Sequence, residues 1–161
     1  MPERLWAPWR LEYVADARTQ HGCVFCAEAA GEISDHDSLV VHRGELAFVL
    51  LNKFPYASGH LMLAPLRHIS ELSELTAAEA AALHELAVRA LGVLRDVYRP
   101  DAFNVGWNLG EEAGGSISAH LHEHVVPRWA GDTNFMPVLA DVKVLPEHLL
   151  RTRERLRTAW P

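Results

Sequence analysis

The sequence predicts an α+β domain: an antiparallel sheet of about five strands, one long helix and a shorter helical element. Three observations carry that class. Short apolar runs broken by turn residues fill positions 38–65. A capped segment with helical periodicity follows Thr76. Strand-like runs then return after residue 100, with no internal repeat, low-complexity tract or linker-like stretch in between. At 161 residues, 49% hydrophobic and 22% charged, the chain suits a single domain over 1–161 with a substantial core.

Taken in order, residues 1–22 form an apolar arm carrying Trp6, Trp9 and Tyr13. Ser38 to Val41 and Leu46 to Leu51, split by Arg43-Gly44-Glu45, read as a hairpin. Asn52 to Gly59, with Pro55 inside it, reads as a loop, and Leu61 to Pro65 as a buried strand. Thr76 with Glu79 three residues on has the capping-box pattern. Leu83, Leu86, Ala87, Ala90, Leu91 and Leu94 then recur at helical spacing, until Arg99-Pro100-Asp101 stops the helix. Phe103 to Asn108 reads as a strand, Gly110 to Gly115 as a loop, and His120 to Val126 as a strand ending at Pro127; residues 130–161 form a C-terminal extension.

Composition narrows the function classes. The formal net charge is −6 and no lysine/arginine block occurs, which argues against a protein that coats nucleic-acid backbones. A compact anion can still bind where a few backbone amides and imidazoles converge. No stretch resembles a signal peptide or approaches the roughly 20 apolar residues of a membrane span, so a cytoplasmic protein is expected, without membrane or nucleic-acid partners. Cys23 and Cys26, the two cysteines, have the spacing of a metal or redox pair.

The chemistry concentrates in His120-Leu121-His122-Glu123-His124-Val125-Val126. Alternate residues of a strand share a face, so the run lines one surface with three imidazoles and turns Glu123 to the other. Imidazole can serve phosphorus chemistry near neutral pH as nucleophile, general acid or donor to phosphate oxygens. Gly114-Gly115-Ser116-Ile117-Ser118, just before it, offers amides and hydroxyls that can cradle phosphate oxygens. Taken alone, the run could be a His-rich surface strand and the loop a simple turn; together they favour a phosphate site.

The run also resembles the signature of the histidine-triad (HIT) family, His-φ-His-φ-His-φ-φ, with Glu123 standing where an apolar residue is usual. The resemblance continues through Leu51 to Pro65, Arg67-His68 and the capped helix, covering roughly residues 23–129. It implies the HIT-like fold, with His122 as the nucleophile that forms a nucleotidyl-imidazole at the α-phosphorus and His124 assisting the leaving group and binding phosphate. It implies nucleotide contacts at Asn52, Asn108, Gly115, Ser116, Ser118 and Trp129, with Ser116 and Ser118 both candidates for the hydroxyl used. It also implies a structural Zn²⁺ held by Cys23, Cys26, His68 and His120, against the alternative of two unmetallated thiols. His60 reads as a structural hydrogen-bonding histidine beside the site.

The Leu5-Trp6-Ala7-Pro8-Trp9-Arg10 arm and the Pro127–Val138 tail, with its Phe135-Met136 segment, are similar to bacterial family members that act on diadenosine polyphosphates. The expected substrate is therefore a nucleotide or dinucleoside polyphosphate, accompanied by Mg²⁺ if at all only as part of the substrate, with no metal needed for the covalent step. The family resemblance implies a homodimer or larger homo-oligomer. The competing readings are a nucleoside phosphoramidase, a zinc-stabilised nucleotide-binding module with little turnover, and a thiol redox protein.

Overall fold

The computed structural model describes residues 22–110, 112–113, 120–132 and 147–161. The N-terminal arm through His21, the loop candidates Gly115, Ser116 and Ser118, and the Phe135-Met136 segment lie outside the described residues. Five strands form one antiparallel sheet: β1 (Val40–Arg43), β2 (Ala47–Leu51), β3 (Leu61–Pro65), β4 (Ala102–Trp107) and β5 (Glu123–Arg128). Their spatial order is β1-β2-β3-β5-β4, so β5 lies between β3 and β4. Helix α1 (Val24–Ala30) precedes the sheet, α2 (Ala77–Tyr98) follows β3, and α3 (Leu149–Ala159) closes the chain.

Helix α2 begins where the capping box placed it. Thr76 Oγ1 accepts from the Glu79 amide at 3.2 Å, and Glu79 Oε2 accepts from the Thr76 amide at 2.8 Å. Leu83, Leu86, Ala90 and Leu94 of α2 bury against Val49, Leu51, Leu61, Leu63 and Val125 of the sheet. Each fully buried aliphatic side chain there contributes about 1.5–3 kcal/mol. The alternate residues, Val40, Phe48, Leu50, Met62 and Ala64, point to the opposite face and pack on Phe25 of α1. Period-two alternation thus builds two cores of different kinds, one under the long helix and one beneath the short helix that holds the cysteines.

Several boundaries differ from the sequence expectation. β1 starts at Val40, not Ser38, because Ser38 is engaged elsewhere: its hydroxyl donates to the buried Glu28 carboxylate at 2.7 Å. β4 runs one residue earlier than expected. The expected strand from His120 enters the ladder only at Glu123. The β3–β5 register runs from Leu61↔Val125 to Leu63↔Glu123, and β3 ends at Pro65, which has no N–H to extend it. Leu121 instead pairs with the chain beyond β3, its amide donating to the Ile69 carbonyl at 2.6 Å. At its other end β5 passes through Pro127 to Arg128, where only β4 is its neighbour.

Two short helices, α1 and α3, stand where the sequence predicts a single shorter element, and α3 lies within the C-terminal extension. Its sequence, LLRTRERLRTA, buries Leu156, Thr152 and Arg153. It docks by arginine: Arg153 donates to the carbonyls of Asp35 (2.6 Å) and Ser38, and Arg157 to the Val40 carbonyl at 2.8 Å. No helix among the described residues is long and apolar enough to cross a membrane.

Candidate active site

The loop after β2 sets the geometry. Gly59 has φ +77, and a Cβ there would come within 2.9 Å of Leu94 Cδ2, so only glycine lets the chain pass this close to α2. His60, the next residue, is fully buried. Its Nδ1 accepts from the Tyr56 amide at 3.1 Å, which puts the ring proton on Nε2. That nitrogen lies 3.0 Å from His124 Nδ1 and donates to it. The proton of His124 is thereby placed on Nε2, which lies 3.4 Å from Asn108 Nδ2; since both are then donors, the His60 bond requires the Asn108 amide to be flipped so that its Oδ1 accepts from that N–H. Sequence alone marks His60 as a structural hydrogen-bonding histidine and gives no sign that it dictates which nitrogen of His124 donates.

His122 is oriented differently. Its Nδ1 lies 2.7 Å from the carbonyl oxygen of His120. A carbonyl only accepts, so Nδ1 carries the proton and Nε2 presents a lone pair. Burial lowers the pKa of His122 below the ordinary histidine value, although the His120 carbonyl opposes that shift. Burial first, and the neighbouring His122 second, depress His124 to about 4. Near neutral pH both rings are therefore uncharged, one offering a lone pair and the other a proton, with centroids 4.9 Å apart.

His120 faces a third environment. Its Nδ1 lies 3.4 Å from Cys23 Sγ and 3.6 Å from Cys26 Sγ, and His68 Nδ1 lies 3.2 Å from Cys26 Sγ. The ligand atoms of Cys23, Cys26, His68 and His120 all fall within 4.8 Å of one another. A tetrahedral zinc with sulfur at 2.3 Å and nitrogen at about 2.0 Å has sulfur-to-nitrogen edges of about 3.5 Å, which these distances match. His120 Nε2 donates to the Pro65 carbonyl at 2.9 Å, leaving Nδ1 as the ligand atom. Burial, then the adjacent Cys23, pushes the Cys26 thiol up to about 11, so the pair needs a nearby cation to become two thiolates. Donor type, spacing and outer-shell hydrogen bond fit a closed structural zinc site.

Phe25, absent from the sequence reading, ties the two halves together. It stacks on His120 with centroids 5.1 Å apart and on His122 at 4.8 Å, and it sits between the cysteines on the same short stretch. Its only sequence signal is an aromatic inside the Cys-x-x-Cys spacing. Asn52 is turned into its own loop: its Oδ1 accepts from the Phe54 amide at 2.9 Å and its Nδ2 lies 3.5 Å from His60 Nδ1. Trp129 is half-buried just past β5, its amide donating to Asp132 at 3.3 Å. A cleft of about 380 Å³ opens beside His124, lined by Tyr56, Asn104, Gly106, Asn108 and Arg128 among others.

Glu123 points to the helix face, as strand alternation requires, with Leu63 and Trp107 as its cross-strand partners. Burial raises its pKa, and His84 on α2 partly offsets that rise.

Comparison with known proteins places this geometry in context. Residues 34–131 match the family model described as HIT domain. The chain is 45% identical to a Mycobacterium tuberculosis protein named AP-4-A phosphorylase, over 98% of this chain and 84% of that protein. It is 30% identical to the Schizosaccharomyces pombe bis(5'-nucleosyl)-tetraphosphatase (asymmetrical), over 59% of this chain and 52% of the relative. Among solved structures, a Zn-bound histidine triad family protein from Mycobacterium smegmatis superposes with a TM-score of 0.69 at 23% identity, covering 89% of this chain and 94% of that one. That likeness establishes the α+β architecture with its five-stranded antiparallel sheet.

Proposed function

The chain belongs to the histidine-triad (HIT) family, and on that premise we propose that it is an enzyme that cleaves dinucleoside polyphosphates, diadenosine tetraphosphate in particular, by phosphorolysis through His122. The observation that carries this reading is the His122 Nδ1–H bond to the His120 carbonyl, which leaves Nε2 as an uncharged nucleophile. The 45%-identical relative named AP-4-A phosphorylase supports the substrate class and phosphate as acceptor.

In the first step His122 Nε2 attacks the α-phosphorus, and the P–O bond to the rest of the polyphosphate breaks. His124 Nε2–H donates a hydrogen bond to the departing oxygen and stabilises its growing negative charge, so ATP leaves as the anion and AMP stays on His122. Inorganic phosphate then attacks the same phosphorus, giving ADP and returning Nε2. The His60 bond keeps the proton of His124 on the nitrogen that donates. Asn108, the amides and hydroxyls of Gly115, Ser116 and Ser118, and His124 bind phosphate oxygens, while Asn52 and Trp129 contact the nucleoside. Cys23, Cys26, His68 and His120 would hold a structural Zn²⁺, which would supply cross-linking and thiolate charge compensation and take no part in the transfer. The single domain over 1–161 works in the cytoplasm as a homodimer.

The deciding experiment incubates the protein with diadenosine tetraphosphate with and without excess phosphate. ADP plus ATP, formed only with phosphate, is the expected result. AMP plus ATP regardless of phosphate makes water the acceptor, and no cleavage in either case overturns the proposal.

A further inference from the structure

Resting on that reading, we propose that the cleft on the β4 side of His124 is the subsite for the departing half of the substrate, a nucleoside polyphosphate, with Gly106 holding it open and Arg128 gripping the phosphate chain. His122 stands on one side of His124 and the cleft on the other, so a leaving group that accepts a hydrogen bond from His124 Nε2 departs into this space. The volume, about 380 Å³, falls within the range of ligand pockets, roughly 300–1,000 Å³.

Gly106 is the direct cross-strand partner of His124. Glycine inside a strand is destabilising and is kept only where something demands it. Neither usual demand applies here. A Cβ at Gly106 would meet nothing within 4 Å, and its φ is not among the positive values. What the missing side chain provides is open space against the proton-donating ring.

Arg128 lies four residues beyond His124 on the same face of β5, about 13 Å away at the strand rise. Its Nε and one terminal nitrogen bind Asp132 at 2.5 and 2.9 Å, and the other terminal nitrogen binds Asn104 Oδ1 at 3.0 Å. Those bonds fix the guanidinium and leave one N–H on each terminal nitrogen to meet phosphate oxygens. Asp132 offsets the charge, so the grip is directional. A small leaving group at His124 cannot reach Arg128, whereas a chain of phosphates carrying a nucleoside can.

The test compares kcat/KM for diadenosine tetraphosphate with that for adenosine 5′-phosphorimidazolide, an activated substrate whose leaving group is one small ring. Phosphate is the acceptor throughout, and wild type is set beside Gly106→Val and Arg128→Gln. Each variant should lower the tetraphosphate-to-imidazolide ratio about tenfold or more. Circular dichroism checks folding, and if one variant fails to fold, the other decides. Wild-type protein inert on the imidazolide overturns the His122 reading itself. Wild type that accepts the imidazolide and refuses the tetraphosphate, or folded variants whose ratio stays at the wild-type value, overturn the subsite alone.

Discussion

His120 and His124 flank the nucleophile with the same side chain, yet the two ends of the run are built on opposite principles. His120 sits between two sulfurs and a carbonyl, partners of fixed role that make its ring a strut. His124 sits between another imidazole and an amide, partners that can give or take a proton, so its ring stays chemically available. The lesson is that residue type set the menu and neighbours chose from it. Both ends meet at His122, through the His120 carbonyl on one side and a 4.9 Å ring contact on the other.

The comparison breaks most visibly at its centre. His122→Ala should lower kcat by about 10⁴-fold or more while nucleotide binding by calorimetry persists; residual turnover near wild type would remove the nucleophile from the scheme. At the strut end, Cys26→Ser should eliminate bound zinc in elemental analysis. It should also lower Tm by about 10 °C, the equivalent of a few kcal/mol in a chain this size. A variant with full zinc and unchanged Tm would make the cluster incidental. At the available end, His60→Gln should reduce kcat about 10–100-fold with little change in Tm, since it removes tautomer control rather than packing. If Tm falls as steeply as in Cys26→Ser, His60 is a strut as well.

A pH series separates the ends further. His124 has its folded pKa depressed from the ordinary 6.5 to about 4. The stability linked to its neutral form is complete above about 6.5 and is lost as pH falls toward 4, because the unfolded chain takes up the proton first. Denaturant midpoints should therefore fall through that window, and less steeply in a His124→Asn variant. The smallest effect is expected at Glu123, where burial raises the carboxyl pKa. Glu123→Gln should raise Tm slightly at pH 8 and leave kcat near wild type; a clear loss of Tm would reveal a partner for the carboxylate.

Much of this was legible before the structure. The capping box at Thr76 and Glu79 and the 3.6-residue spacing from Leu83 to Leu94 specified α2, because local hydrogen bonding and burial on one face both follow sequence distance. The alternation of His120, His122 and His124 likewise announced a shared face. What stayed hidden depends on contacts across the chain. Phe25 reaches His122 over nearly a hundred residues, and its place between two cysteines gives no sign of that contact. His60 acquires its role only when β3 and β5 align. Helix α3 is hard to read from sequence because Leu156 is its one fully buried apolar side chain and the rest of its docking is arginine hydrogen bonds to carbonyls, which leave little apolar periodicity.

The strand order has a bearing on how the protein is made. β4 precedes β5 in the chain, yet β5 fills the slot between β3 and β4, pairing Leu61 with Val125 across 64 positions. Pairings of such high contact order are slow, since loop closure must come before any contact rewards it. During synthesis the hairpin of β1 and β2, and then β3, can form while the histidine run is still unmade. All three imidazoles arrive together, His124 on the strand that docks late and His120 and His122 on the residues leading into it, so the reactive ring is assembled, shielded and aligned in a single closing event near the end of folding.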